Sequence, residues 1–330
     1  MVSTTIVAVL AVYLIILLAI GVWGGRESHS VAGYYVANKK LPAWVIAFSS
    51  NATGESAWLL LGLTGMGYAV GIHALWIVLG EVLGVALGWV LVALPFKELT
   101  DRYDSITVAD YLESRFDDRQ HVLRILSAIV IFTMVTAYTA AQLTASGKAF
   151  SSFLGTSYAA GVLIGAAVIL YYTTVGGFKA VAYSDVLQGV LMFSGLLMLP
   201  IVGVSAAGGF SQLIEQLHSV DSNLLEPMGE LGFSVAGVLS AVSFMGIGLA
   251  FLGAPQLLTR FISASGRTQI VNGSLLAVIC IIVFDVGAVF AGMAGRSLFP
   301  GLDDPETILP TMASEQPRRR ITMPAIGMVE

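Results

Sequence analysis

The sequence is poor in charge and in cysteine. Only 11% of its 330 residues are Asp, Glu, Lys or Arg, whereas a soluble domain carries about 25%. The single cysteine, Cys280, lies in an apolar run and has no second cysteine to pair with, so a small packing residue is expected there. These shortages exclude an ordinary soluble domain and an intrachain disulfide framework.

Several motifs that carry chemistry are also missing. No glycine-rich loop with a following lysine is present, so nothing indicates a phosphate cradle or ATP as energy source. No His/Cys cluster indicates a transition metal. The one basic cluster, in the tail at 316–330, does not by itself indicate nucleic-acid binding. The sequence therefore predicts neither an enzyme nor a resident cofactor.

What the chain has in abundance is apolar sequence. Hydrophobic residues make up 56% of it, and the mean hydropathy is +0.85. A membrane helix needs about 20 consecutive apolar residues. That length predicts eight spans, at residues 5–23, 43–68, 74–95, 124–150, 159–177, 183–207, 233–254 and 272–294. The chain is expected to be an all-α, multi-pass membrane protein with the lipid bilayer as its surroundings.

Basic residues predict the orientation of these spans. They concentrate in the loops after the first, third, fifth and seventh spans, while the loop at 208–232 is acidic and has no Lys or Arg. Because cytoplasmic loops are enriched in Lys and Arg, the basic loops are expected inside and the N-terminus outside the cell membrane. The basic tail at 316–330 breaks this alternation.

The second span contains a polar interruption. Residues 49–56 read Ser-Ser-Asn-Ala-Thr-Gly-Glu-Ser, between two strongly apolar flanks. A helix broken at mid-membrane is tolerated only where it lines a cavity, and in secondary transporters such breaks hold ions and substrate. The alternative is that these hydroxyls only bond back to their own helix. We expect an ion and solute site here.

Several short motifs, in a fixed order, resemble one family. They are residues 33–41, 56–62, 107–112 with 115–116, 174–181 followed by 184–188, and 253–256 with 260–261. From Val31 to about Met312 the chain resembles the sodium:solute symporter family, and most closely its sodium/proline members. The most specific of these motifs is Thr174 to Val181 followed by Ser184 to Gln188.

The resemblance implies a five-plus-five inverted-repeat (LeuT-type) transporter core. In this reading residues 1–42 hold a leading helix and a cytoplasmic loop, 43–207 the first five-helix repeat, and 208–232 an extracytoplasmic loop. Residues 233–315 hold the first two helices of the second repeat, and 316–330 form a tail of non-native appearance. The core is then incomplete after that second helix. The expectation is a truncated or frame-shifted chain, and the alternative is a genuine short homologue.

The resemblance also implies a sodium site. Sodium prefers oxygen ligands, as other hard cations do. The backbone carbonyls of Ala52 and Glu55 would supply half of the site, and hydroxyls of a later helix the other half. Sodium/proline members carry an Asp where this chain has Gly54, so the carboxylate is displaced to Glu55. Glu55 could face sodium, pair with solute or be neutral, which leaves a proton open as coupling ion.

Asp185 is a second candidate for sodium. An acid inside a span is a functional hypothesis by default, and the resemblance implies a second ion site or an inner gate. The alternative is interfacial pairing with Lys179. Glu81 and Asp285 also lie in spans, where a structural or neutral state is expected.

By resemblance the solute would contact five residues, which are Ser56, Trp58, Tyr138, Ile247 and Phe251. For Tyr138 and Trp58 the alternative is ordinary packing. Ile247 and Phe251 stand where proline members have Trp and Tyr, which weakens proline specifically. The predicted function is sodium-coupled symport of a small organic solute, an amino acid such as proline or a carboxylate. The alternatives are an inactive truncated remnant and a transporter-like sensor module.

Overall fold

The computed structural model describes residues 4–312, and within them all side chains except those of residues 4–6, 152 and 153. The tail predicted at 316–330 lies outside this range. The described chain contains helices and no β-strand, so the all-α prediction is confirmed. The α-helices are α1 Thr4–Gly25, α2 Val31–Val36, α3 Ala43–Ala57, α4 Thr64–Val70, α5 Leu75–Leu87, α6 Leu94–Arg102, α7 Val108–Phe116, α8 Val122–Leu154, α9 Tyr158–Ala206, α10 Phe210–Val220, α11 Val235–Met245, α12 Pro255–Ile262 and α13 Arg267–Leu298.

Six helical stretches of the described residues are long and apolar enough to cross a membrane. They are Val7–Gly25, Ala43–Arg102, Val122–Ser151, Tyr158–Ala206, Val235–Ile262 and Arg267–Leu298. Two of them, of 60 and 49 residues, each contain two of the eight predicted spans. Since about 20 residues cross a bilayer, both are long enough for more than one crossing. The multi-pass prediction is confirmed.

Glycines in left-handed backbone interrupt these two long stretches. Gly71 has φ +58° and lies between α4 and α5. Gly177 has φ +61° inside α9, at the end of the first of the two spans that were predicted there. Only glycine adopts such values at no steric cost. The predicted spans are therefore joined by short interruptions of helical structure, the segment Gly71–Ala74 in one stretch and Gly177 in the other.

The chain divides into two compact units. Unit 1 comprises Met1–Ser56, Glu81–Met192 and Gly248–Ile281, and unit 2 comprises Ala57–Gly80, Phe193–Ile247 and Ile282–Glu330. Unit 1 has a continuous apolar core, in which Ile46 of α3, Trp89, Phe261 of α12 and Ile281 of α13 are almost fully buried. This core holds α3 and α12 together at the candidate site.

A main-chain clamp joins the start of α3 to the end of α12. The Leu41 N–H donates to the Ser263 carbonyl at 3.0 Å, and the Ser265 N–H donates to the Leu41 carbonyl at 3.1 Å. The buried Lys97 ammonium donates to the Ile262 carbonyl at 3.0 Å and pairs with Asp101 at 2.8 Å. A cation at a helix C-terminus satisfies its last carbonyls.

The motif at residues 107–112 with 115–116 forms the short helix α7. Its N-cap is Thr107, whose hydroxyl accepts from the Asp110 N–H at 3.0 Å, as N-cap side chains do. Charged side chains then join α7 to the start of α8: Glu113 contacts His121, and it accepts from Arg124 at 2.8 Å. The hydrogen bond from His121, followed by that from Arg124, lowers the pKa of the Glu113 carboxyl.

Candidate ion and solute site

The predicted helix break is real and narrower than the polar stretch that indicated it. Residues 49–55 stay helical, and the backbone leaves the helix at Ser56, with φ 53° and ψ −152°. Such a conformation costs a non-glycine residue about 1–3 kcal/mol and persists only where the surroundings impose it. A π-helical segment, Trp58–Leu63, follows directly. Ala52 and Glu55 belong to the last turn of α3 before this break.

Two side chains of α8 hold this last turn of α3. The Tyr138 hydroxyl donates to the Thr53 carbonyl at 2.8 Å. One turn later, the Gln142 amide donates to the Ser56 hydroxyl at 3.2 Å. Tyr138 was predicted from the resemblance. Gln142 was not, although its i,i+4 spacing from Tyr138 in an apolar helix was a signal.

Asp185 of α9 forms a buried ion pair with Arg260 of α12. Their charged groups lie 2.5 Å apart, and their side chains are 10% and 5% exposed. The Ser49 hydroxyl donates to the same carboxylate oxygen at 2.6 Å, and the Thr53 hydroxyl at 3.2 Å. Ser49 and Thr53 are one turn apart on α3, so a single face of the broken helix closes over the pair.

The Arg260 guanidinium is bonded through all three nitrogens. Its Nε donates to the Ser49 hydroxyl at 2.7 Å, and one terminal nitrogen donates to the Gln256 carbonyl at 2.7 Å. The other terminal nitrogen donates to Thr53 and to Asp185. Each hydroxyl of α3 therefore accepts from the arginine and donates to the aspartate. Buried charges need this degree of pairing, because an unpaired one is expensive to desolvate.

Lys179 does not pair with Asp185, contrary to the alternative considered from the sequence. Its ammonium pairs with Glu27 at 2.6 Å and lies 4.3 Å from the ring centre of Trp23. The hydrogen bond from Lys179 lowers the pKa of the Glu27 carboxyl. Lys179 therefore attaches the end of the leading helix α1 to α9. Asp185 pairs with Arg260 instead.

Phe251 takes the space beside Gly54. A Cβ added at Gly54 would lie 2.6 Å from the edge of the Phe251 ring, which is closer than real Cβ contacts. Phe251 is itself 8% exposed. The structure thus explains why a side chain is missing at 54 in this chain: the aromatic ring of the segment before α12 fills the place that it would need.

Two more acids are buried in unit 1. Glu55 is fully buried and Glu81 is 1% exposed, and carboxylate oxygens of the two lie within 4.8 Å of each other. The sequence suggested no link between them, because Glu81 is 26 positions further along the chain. Asp285, in unit 2, is also fully buried.

The remaining predicted solute residues belong to unit 2. Trp58 begins the π-helical segment and its ring covers Gly62, where a Cβ would overlap it. Ile247 lies in the 3₁₀ segment Gly246–Leu252 and is 37% exposed. The structure brings Ser56, Tyr138, Phe251, Glu55 and Asp185 into unit 1 with Ala52.

Unit 2 contains a cavity of its own. It measures about 200 Å³, and its lining includes His73, Asp221, Glu230 and Phe244. The His73 ring donates from Nδ1 to the Pro227 carbonyl at 2.8 Å, since a carbonyl can only accept, and contacts Ser240 at 3.0 Å. Trp76 donates to the same carbonyl at 2.8 Å. The acidic segment 221–231 is thereby fastened to the α4–α5 region.

Comparison with known proteins agrees with this architecture. The sodium:solute symporter family matches residues 34–314. The high-affinity proline transporter PutP of Bacillus subtilis is 33% identical over 297 residues, covering 88% of this chain and 62% of the relative. The sodium/proline symporter of Salmonella typhimurium is 33% identical over 299 residues, covering 90% and 59%. The chain spans about three fifths of the length of these relatives.

A solved structure shows the same fold. A Na⁺-coupled sialic acid symporter, in its substrate-bound outward-open state, superposes with a TM-score of 0.77 at 20% identity, covering 92% of this chain and 64% of that one. The predicted five-plus-five inverted-repeat (LeuT-type) class is thus confirmed. The family consists of transporters, which agrees with the prediction that the chain is not an enzyme. The protein belongs to the sodium:solute symporter family.

Proposed function

We propose that the protein carries a small organic solute across the cytoplasmic membrane together with sodium, by alternating access. The observation that carries this proposal is the break at Ser56 directly beside the Asp185–Arg260 ion pair. The break places backbone carbonyl oxygens where the regular helix ends. The ion pair bonds to Ser49 and Thr53 on the helix just before that point. Membership of the symporter family supports coupling to sodium.

In this proposal sodium binds the backbone carbonyls of Ala52 and Glu55. Both carbonyls belong to the last turn before the break, where the regular helical geometry ends. Neutral carbonyl oxygens suit a hard cation. Sodium binding would favour one arrangement of the break and raise the affinity for solute, which is positive coupling between two sites.

We assign Asp185 to an inner gate rather than to a second sodium site. Its Oδ2 already takes three bonds, from Arg260, Ser49 and Thr53. A cation at that oxygen would have to displace the guanidinium. Arg260 follows the seventh predicted span, on the side predicted to be cytoplasmic. Opening toward the cytoplasm would separate α12 from α3 and break this pair.

For the solute we propose contacts with Ser56, Tyr138 and Phe251. Ser56 is the break itself, Tyr138 touches the turn before it, and Phe251 covers Gly54. Trp58 and Ile247 of unit 2 stay predictions from the resemblance. Proline is the first solute to test because the relatives are named proline transporters. Other small amino acids and carboxylates should be tested next, because the apolar Ile247 and Phe251 replace the Trp and Tyr of the proline transporters.

The topology remains part of the proposal. We keep the division into residues 1–42, 43–207, 208–232, 233–315 and 316–330, with the N-terminus outside the cell membrane. The support is the alternation of basic and acidic loops in the sequence. This topology can be tested with single cysteines placed at 208–232 and at 103–107 in a Cys280→Ser background. A membrane-impermeant thiol reagent should label only the cysteines on the outer side.

Uptake by proteoliposomes tests the proposed function. Purified protein with an imposed inward sodium gradient should accumulate labelled proline or another small solute, and replacing external sodium by choline should abolish accumulation. Asp185→Asn should reduce uptake strongly, whereas Glu27→Gln, which removes an exposed ion pair, should change it little. Absence of sodium-dependent uptake across a panel of amino acids and carboxylates would contradict the proposal.

A further inference from the structure

A small cavity lies beside α3 within unit 1. Two polar residues, Ser50 and Asn51, line it on one side, and an apolar wall that includes Val85, Trp89 and Phe251 lines the other. The space holds about one water-sized molecule. Ser50 and Asn51 directly precede Ala52, so the cavity lies behind the turn proposed to bind sodium.

Each of these two polar residues has a side-chain oxygen whose hydrogen-bonding capacity is unsatisfied. The Ser50 hydroxyl and the Asn51 Oδ1 are buried and have no hydrogen-bond partner in the part of the chain that the structure describes. The residues are 3% and 1% exposed. A buried polar atom left unsatisfied costs about 1–3 kcal/mol, and nearly all such atoms in native proteins have a protein or water partner. The preceding residue, Ser49, shows the contrast, because its hydroxyl both donates and accepts a hydrogen bond.

The orientation of the Asn51 amide follows from its other contact. Its Nδ2 donates to the Ala277 carbonyl of α13 at 2.7 Å. The opposite orientation would set two oxygens against each other, because a carbonyl cannot donate. Oδ1 is therefore the acceptor that has no hydrogen-bond partner in the described chain. The Cys280 thiol also interacts with this amide, and a water molecule in the cavity can donate to Oδ1.

We propose that this cavity is a binding site for one ordered water molecule. The Ser50 hydroxyl donates to the water, and the water donates to Asn51 Oδ1. A buried water needs two to four polar partners and a polar, sufficiently roomy site, and both conditions are met here. A hard cation is disfavoured, because two neutral oxygens and an apolar wall cannot replace its six or so oxygen ligands. The apolar wall and the small space leave no room for an organic solute.

The bound water would position the broken helix. It satisfies the two residues before Ala52 while Asn51 holds α13, so the start of the last turn of α3 is fixed from behind. On the far side of the same cavity Phe251 covers Gly54. Loss of the water would leave this turn with two unsatisfied groups and let the Phe251 wall collapse inward.

High-resolution density is the direct test. A cryo-EM or crystal map at about 2 Å should show a single peak within about 2.7–3.2 Å of both oxygens. A peak at about 2.3–2.6 Å with further oxygen ligands, lost when sodium is replaced by choline, would identify a cation and overturn the proposal. An empty cavity would overturn it as well.

Radiolytic footprinting tests the site in solution, because hydroxyl radicals formed from a bound water modify the side chains around it. Trp89 is only 3% exposed, yet it should be modified in the unaltered protein. Ser50→Val fills the space, and Val85→Ile fills it from the wall without touching a polar group. Either change should lower modification of Trp89 several-fold. The internal control is Trp44, which is 46% exposed and should react equally in all forms.

Two readings of the footprint are decisive. A fall at Trp89 in a variant whose gel-filtration profile and Trp44 labelling are unchanged supports a bound water. Modification of Trp89 that is absent, or equal in all three folded proteins, rejects it. This outcome is independent of transport, so a failure of the proposed symport leaves the test intact.

Discussion

The carboxylate of Asp185 and the guanidinium of Arg260 lie 2.5 Å apart although the residues are 75 positions apart in the chain. Ser49 and Thr53 of α3 complete the pair. Three helices, α3, α9 and α12, therefore meet at one buried pair of charges, directly below the break at Ser56.

We expect Asp185→Asn to destabilise the protein strongly. Removing one member of a buried ion pair leaves the other charge unpaired and costs about 3–5 kcal/mol. Thermal unfolding in detergent measures the loss of stability. The control Glu27→Gln should lose much less stability. The double variant Asp185→Leu, Arg260→Met should recover part of the loss, because neither charge is then buried. A double variant less stable than Asp185→Asn would contradict this account.

Substitution of Gly54 should be destabilising because of Phe251. The added methyl group of Gly54→Ala would overlap the ring edge, and overpacking a core typically costs about 1–3 kcal/mol. Gly195→Ala is the matched control, because a Cβ there meets nothing within 4 Å. Adding Phe251→Ala to Gly54→Ala should relieve the overlap, so the two substitutions should be clearly non-additive in thermal unfolding.

Tyr138 can be divided into its ring and its hydroxyl. Tyr138→Phe removes the bond to the Thr53 carbonyl and should cost about 0.5–1.5 kcal/mol of stability. If the ring contacts the solute, solute affinity should survive in Tyr138→Phe and fall in Tyr138→Ala. Isothermal titration or scintillation proximity binding separates the two. Equal solute affinity in both variants would leave Tyr138 a packing residue.

The connection between α7 and α8 should weaken at acid pH. Because the pKa of Glu113 is lowered from its ordinary value of 4.5, its stabilisation is fully present above that value and is lost as the pH falls through the lower, folded pKa. Hydrogen exchange of residues 108–125 should therefore quicken below about pH 4.5, relative to the intrinsic rate. In Glu113→Gln this acid-dependent step should disappear. Persistence of the step in the variant would assign it to another group.

The acidic segment 221–231 should loosen when its fastening is cut. His73→Ala and Trp76→Phe each remove one hydrogen bond to the Pro227 carbonyl. Each bond is worth about 0.5–1.5 kcal/mol, so amide exchange in the segment should speed up by as much as about tenfold. The loss should be largest in the double variant. Unchanged exchange in the double variant would show that other contacts hold the segment.

Much of the fold could be predicted from the sequence, and part of the site. Apolar run length predicted a multi-pass helical protein, because a bilayer crossing needs about 20 apolar residues. The described part of the chain has six helical stretches of sufficient length and apolar character. The polar residues 49–56 marked the break, but its position at Ser56 was not predictable. Strained backbone is imposed by surrounding contacts, here from Gln142, and leaves no local periodicity.

The sequence could not predict which charged residues form ion pairs with each other. Asp185 was expected to need a partner, and Lys179, six residues earlier, was the nearest candidate. Gly177 interrupts α9, and Lys179 is taken by Glu27 and Trp23. Arg260 comes from a helix with no sequence proximity to Asp185. The missing side chain at 54 likewise made sense only once Phe251 was seen beside it.

By itself the sequence determined an all-helical membrane protein with a polar interruption in its second span, because hydrophobic length and composition decide what can cross a bilayer. The tertiary structure alone decided which buried charges pair and which polar atoms face a cavity. The physical reason is desolvation: it requires every buried charge to find a partner, but only the packing of distant helices determines which partner is within reach.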